Sequence, residues 1–213
     1  MMALTGADIH GVILAGGQSS RMGTDKALLP VGEKVLLRII AEQMLSAGIG
    51  GKIIISAGDG QREEVYQQAL SGVQAPLEFV RDTYRDCGPL AGLHTALSVI
   101  PGQAYGFVMA CDMPVLSEPL LARMISSAEA AAFEGEGRSA VIRTTANQPF
   151  HALYNTSVVA QLQQLLEQRD LRVMSFLKGL TALQLEPTPQ EALAFINLNT
   201  PELYALYMAG QRR

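Results

Sequence analysis

Short apolar runs alternate with longer amphipathic stretches through the first half of the chain. Ile9–Leu14, Lys52–Ser56, Leu77–Val80 and Ala104–Ala110 are apolar almost throughout, the pattern of strands covered on both faces. Between them lie helical periods. Val35–Ala47 places Leu36, Ile39, Ile40 and Met44 on one stripe and stops at Gly48. Glu63–Leu70 is a weaker helix, Pro89–Ile100 opens with a first-turn proline, and Ser117–Phe133 opens with a capping serine. The order β-α-β-α-β-α-β-α predicts an α/β protein with an open, doubly wound, mostly parallel sheet. Ligands of such sheets bind beyond the carboxyl ends of the strands, so the residues that follow each strand carry the functional expectations.

The second half is less regular. Ala140–Arg143 and His151–Tyr154 read as strands, and Thr156–Gln168 as an amphipathic helix capped by Thr156. Arg172–Leu180 reads as a short helix, and Thr181–Leu185 and Phe195–Leu198 as short strands. Thr200-Pro201-Glu202 supplies a cap, a first-turn proline and a first-turn acid for a last helix. No repeat, low-complexity tract or linker interrupts the 213 residues, and Gly135–Gly137 is at most a turn, so one domain is expected.

With 48% hydrophobic and 17% charged residues the chain has ample material for a core. A net charge of -4 gives no global footprint for nucleic acid, so an anionic ligand has to be met by a local cluster of cations. Cys87 and Cys111 fit neither a CxxC nor a Cys/His metal pattern, which predicts reduced thiols and a cytoplasmic protein. The N-terminal MMALTGADIH has no basic region followed by a long apolar core, so no signal peptide is expected, and no apolar run is long enough for a membrane span.

The first strand runs directly into glycines and then into cations, GVILAGGQSSRMGTDK over residues 11–26. A glycine-rich turn after a strand lets backbone N–H groups approach a phosphate, and Arg21 and Lys26 can neutralise it, one as a fork and one as a point charge. Neither GxxxxGK[ST] nor GxGxxG is present. The carboxylates Asp82 and Asp112 each follow a strand. Asp112 either caps the turn at Met113-Pro114 or enters the crevice to ligate a hard cation such as Mg²⁺, which needs only one or two carboxylates alongside phosphate oxygens.

The stretch LAGGQSSRMGTDK resembles the LAGGxSxRMGxDK signature of nucleotidyltransferases, and most closely that of the molybdenum cofactor guanylyltransferases. The resemblance extends along nearly the whole chain. DTYRDCGPLAG over residues 82–92 is similar to the family's second motif and Cys111-Asp112-Met113-Pro114 to its CDxP metal motif. Gln148-Pro149 through Tyr154 and Asn197–Glu202 are similar to its C-terminal landmarks. It implies a Rossmann-like nucleotidyltransferase fold that moves GMP from GTP to the terminal phosphate of molybdopterin and releases pyrophosphate, with Mg²⁺ held by Asp112. Arg21, Lys26 and Asp112 would be catalytic. Leu14, Ala15, Gly16, Gly17, Lys26, Ser56, Asp82, Gly88, Pro89, Leu90 and Asp112 would contact the nucleotide. Residues 1–115 would form a nucleotide-binding half and residues 116–213 an acceptor half, with Arg143, His151 and Arg172 as weaker acceptor candidates. Cofactor-insertion chaperones and molybdoenzymes are the implied protein partners; no nucleic acid and no membrane partner is expected. Ser56 stands where the family often has asparagine, which leaves its contact open. The alternatives are a related cytidylyl- or sugar-phosphate nucleotidyltransferase, and a non-catalytic carrier of GTP or molybdopterin.

Overall fold

In the computed structural model, residues 8–16, 25–58, 60–133, 139–145 and 148–210 are described. Strand β1 (Ile9–Leu14) leads, past the segment that contains Gly17, Arg21 and Gly23, to a one-turn 3₁₀ helix at Lys26–Leu28. A small hairpin follows, β2 (Pro30–Val31) and β3 (Lys34–Val35), and then α1 (Leu36–Ser46). Next come β4 (Ile53–Ser56), α2 (Glu63–Ala69), β5 (Leu77–Val80), α3 (Gly88–Ser98), β6 (Tyr105–Ala110) and α4 (Glu118–Phe133). The second half supplies β7 (Val141–Thr144), β8 (Ala152–Asn155), α5 (Val159–Glu167), α6 (Val173–Lys178), β9 (Ala182–Leu185) and α7 (Pro201–Gly210).

Seven strands form one sheet in the order β5-β4-β1-β6-β8-β7-β9. All run in one direction except β8, which is antiparallel to both of its neighbours. The chain walks from β1 outward to β4 and β5, then returns to place β6 on the other side of β1. The carboxyl ends of β1 and β6 therefore flank the topological switch, where a doubly wound sheet opens a crevice. Leu14 and Ala110 are in register at that edge.

Two apolar clusters cover the sheet. One packs Ile13, Ile53, Ile55 and Met109 against α1, α2 and α4; the other packs Val12, Ile54 and Val108 against α3, α5 and α6. This alternation along each strand is the reason the strands read as unbroken apolar runs. Helix α1 buries Leu36, Leu37, Ile40, Ala41 and Met44 and ends where Gly48 adopts a φ of 83°. A third, smaller cluster joins the hairpin to the C-terminus: Leu29, Val31, Leu36 and Leu198, with Tyr204, Tyr207 and Met208 of α7 against them.

Several local expectations are corrected. The cap of the helical run after β8 is Asn155, whose side-chain oxygen accepts from the Ser157 amide at 3.0 Å, and Thr156–Val158 is a 3₁₀ turn before α5. Phe195–Leu198 is not a strand. Glu191–Phe195 forms a 3₁₀ helix anchored by buried Glu191, which accepts from Arg123 at 2.6 Å and from the Thr188 amide at 2.8 Å. The Leu198 amide then donates to the Asp112 carbonyl at 2.6 Å rather than to a sheet. The proposed Ser117 cap holds, with Ser117 Oγ 3.4 Å from the Leu120 amide. Gly135–Gly137 lies outside the described residues.

Candidate active site

The site is assembled at the carboxyl edge of β1, β4, β5 and β6. Past Leu14 the β1 backbone stays tied to its neighbours: the Ala15 amide donates to the Ser56 carbonyl at 3.0 Å, and the Cys111 amide to the Leu14 carbonyl at 3.3 Å. Gly16 then passes so close to the turn after β4 that a Cβ on it would sit 2.9 Å from the Gly58 nitrogen. Gly58 itself has a φ of 68°, and its carbonyl accepts from the Asp82 amide at 2.8 Å. The loops after β1, β4 and β5 are thus laced together through backbone, which only glycine permits at position 16.

Lys26 and Asp112 meet at the switch. Lys26 reaches its place because Asp25 caps the 3₁₀ turn, its Oδ1 accepting from the Ala27 amide at 3.0 Å. From there Nζ lies 3.9 Å from Asp112 Oδ2 and donates to the Asn199 side-chain oxygen. The two charged side chains are 19% and 29% exposed, open enough to meet a ligand and dry enough for charge to matter. The Asp112 carbonyl is held by Leu198 from the C-terminal segment. Asn199 therefore joins the site from the far end of the chain.

A second group lies on the α3 face of the sheet. Buried Ser56 donates to Asp82 Oδ1 at 3.0 Å. A Cβ at Gly92 of α3 would approach Ser56 Oγ to 2.7 Å and Leu14 Cδ2 to 3.4 Å, so the first turns of α3 ride directly on β1 and β4. Gly88 starts the helix at a φ of 61° with Pro89 in the first turn, both exposed, whereas the Leu90 side chain is in the core. Leu90 can meet a ligand only through its backbone.

The three acceptor candidates do not gather there. His151 is 1% exposed, with Nε2–H donating to the Val115 carbonyl at 2.9 Å and its ring edge-on to Phe107 and Phe195. Burial holds its pKa down at about 4, so it is a neutral core residue and not a substrate contact. Arg172 is clamped by Asp170 at 2.8 and 2.6 Å on the surface. Arg143 is buried on β7, its Nη1 donating to the Thr144 carbonyl at 3.2 Å and its Nε without a partner. It shares the α3 face with Leu14 and Ser56, three strand spacings or about 14 Å from β1.

Gly17 and Arg21 lie outside the described residues. Cys87 and Cys111 are both free and buried, but they belong to opposite apolar clusters. Burial pushes the Cys111 thiol up, and Asp25 and Asp112 add to it, so it stays protonated and is no nucleophile. Among the described residues no group of three or more His, Cys, Asp or Glu side chains converges on a metal position, and no helix is long and apolar enough to cross a membrane. Asp112 offers a hard, partly exposed oxygen just past the end of β6. That donor set suits a cation that keeps waters and shares phosphate oxygens, and does not suit an all-protein cage.

Residues 11–184 match a family profile described as a MobA-like NTP transferase domain. A probable molybdenum cofactor guanylyltransferase of Peptoclostridium acidaminophilum is 31% identical over 90% of this chain and 84% of its own length. The molybdenum cofactor guanylyltransferase of Syntrophotalea carbinolica is 32% identical over 90% of this chain and 86% of its own. The crystal structure of molybdopterin-guanine dinucleotide biosynthesis protein A from Archaeoglobus fulgidus superposes with a TM-score of 0.72 at 21% identity, covering 96% of this chain and all of that one.

Proposed function

Because the chain belongs to the MobA-like NTP transferase family, we propose that its crevice transfers GMP from GTP to the terminal phosphate of molybdopterin, releasing pyrophosphate. The observation that carries the assignment to this site is the meeting of Lys26 and Asp112 at the switch between β1 and β6. A cation and a carboxylate at that edge suit a triphosphate with its divalent ion, and beside them the Gly16 and Gly58 backbones meet with no side chain between them.

The acceptor needs no strong base. A phosphate monoester has a second pKa of about 6 and is largely dianionic at pH 7. The difficulty is to bring two polyanions together, so catalysis rests on alignment and charge neutralisation. Lys26 stabilises the charge that builds on the departing pyrophosphate, with Arg21 assigned the same work from the signature. Leu14, Ala15 and Gly16 meet the phosphates through backbone, with Gly17 assigned the same role from the signature. Asp82, oriented by Ser56, accepts hydrogen bonds from the guanine or ribose end. Gly88, Pro89 and the Leu90 backbone border that end from α3. A divalent cation, in our reading Mg²⁺, would be held by Asp112 and would supply neutralisation between phosphate groups.

In this reading residues 1–115 bind the nucleotide and residues 116–213 the acceptor, although the sheet runs unbroken through both. Of the acceptor candidates only Arg143 keeps its place, because it shares the α3 face with Leu14 and Ser56 and its Nε has no partner. Free, buried thiols suit a reducing compartment, and we assign the enzyme to the cytoplasm. The product serves other enzymes, so hand-over to cofactor-insertion chaperones and molybdoenzymes belongs to the same proposal.

Calorimetry of GTP, CTP, ATP and UTP with Mg²⁺, followed by pyrophosphate release with molybdopterin, tests the assignment. GTP preference and release dependent on both substrates are expected. Preference for CTP or UTP moves the enzyme to a sister activity; GTP binding without release leaves a carrier.

A further inference from the structure

The deepest polar contact near the site comes from α2, which the reaction as described does not use. Tyr66 is the one buried residue of that helix and is fully enclosed. Its hydroxyl lies 2.7 Å from Asp25 Oδ2 and 3.1 Å from the Ala15 carbonyl oxygen. A phenol has one proton, so it donates chiefly to the nearer, charged acceptor and shares the bond with the carbonyl. The Arg62 guanidinium, at the start of the same helix, lies 3.5 Å from Asp25 Oδ2. The other carboxylate oxygen of Asp25 is the cap of the turn that carries Lys26.

We propose that Tyr66 is a positioning residue for guanylyl transfer: through Asp25 it sets the Lys26 ammonium relative to the end of β1. The geometry allows little else. Ala15 follows β1 and Asp25 caps the turn that carries Lys26, and one buried hydroxyl touches both. Asp25 has each oxygen committed, one to the turn and one to Tyr66, so the turn cannot rotate without breaking a charge-assisted bond in a dry site. Lys26 is the next residue. The hydroxyl itself is walled off by the core and cannot touch substrate, so any effect it has on the reaction passes through Asp25 and Lys26. This proposal rests on the assignment of Lys26 to the triphosphate.

The test is a double-mutant cycle with Tyr66→Phe and Lys26→Ala, read both as kcat for pyrophosphate release and as Kd for GTP with Mg²⁺. Tyr66→Phe keeps the ring in the core and removes only the hydroxyl. In the wild-type background it is expected to lower kcat about five- to twentyfold. In the Lys26→Ala background it should change kcat less than about twofold, because there is no longer an ammonium to misplace. Thermal midpoints measured alongside should fall equally in both backgrounds, which separates stability from positioning. Equal fold losses in the two backgrounds, or no loss in the first, overturn the proposal. Should the wild-type protein release no pyrophosphate, the assigned reaction fails instead, and the same cycle on GTP affinity still decides the role of Tyr66. Coupling there upholds it, and additivity removes it.

Discussion

In the proposed reaction Lys26 acts as a single charge, and its loss is the sharpest residue-scale prediction. Lys26→Ala should remove about 2–4 kcal/mol of transition-state stabilisation, the scale of one preorganised donor. That is about 30- to 900-fold in kcat/KM with the fold intact, as steady-state kinetics and circular dichroism would show. Ser56 acts at the other end. It donates to Asp82, and α3 leaves no room above it, since Gly92 already approaches its Oγ. Ser56→Ala should weaken GTP binding about five- to tenfold by calorimetry, the value of one hydrogen bond to a charged group that is partly replaced by water. The placing of Lys26, Asp112 and Asp82 at the carboxyl edge of the sheet was legible in the sequence because each comes shortly after a strand or a glycine turn. Asn199 was visible only as a landmark, and Tyr66 not at all: their partners lie 173 and 41 residues away. His151 misled for the opposite reason. Its place beside a motif says nothing of the left-handed backbone, φ 56°, and the two phenyl rings that lock it into the core.

At the scale of elements, the strand ends matter more than the strands. Gly16 and Gly58 bring two loops into backbone contact, and neither neighbour can yield as a side chain would. Gly16→Ala is therefore expected to destabilise the protein by about 1–3 kcal/mol in urea unfolding, by forcing those loops apart. It should weaken GTP binding as well, because the same backbone lines the crevice. The strands β1, β4, β5 and β6 were read to within one residue, since covered parallel strands are apolar throughout and bounded by turns. Helix α1 was equally plain from its stripe and its terminal glycine. The hairpin β2–β3 was not foreseen, as two residues per strand hold no periodicity. The supposed strand at Phe195–Leu198 has the composition of one, but its amide is claimed by Asp112 across the molecule.

For the whole molecule, acid is the informative perturbant. His10, His94 and His151 are all buried and all have pKa values lowered, chiefly by burial, with His151 at about 4 against 6.5 for a free imidazole. The unfolded chain therefore binds protons that the folded chain refuses, and stability is lost as the pH falls from about 6.5 towards 4. His151 alone accounts for about 3 kcal/mol of that loss. Thermal midpoints from pH 7.5 to 5 should fall, and His151→Asn, which tolerates the left-handed backbone, should flatten the slope even where it lowers stability at pH 7.5. The doubly wound character was legible from the alternation of elements, but the insertion of the antiparallel β8 between β6 and β7 was not, because strand order is decided by contacts that a linear pattern does not encode. The contact between Lys26 and Asn199 has a consequence in time. On the ribosome β1, β4, β5 and β6 can pair as soon as residue 110 has emerged, since domains close from the N-terminus as they are made. The lysine then waits for a partner that lies 173 residues further along the chain. A nascent chain has most of its crevice while its Lys26 still lacks Asn199, and that contact cannot form until residue 199 has emerged as well.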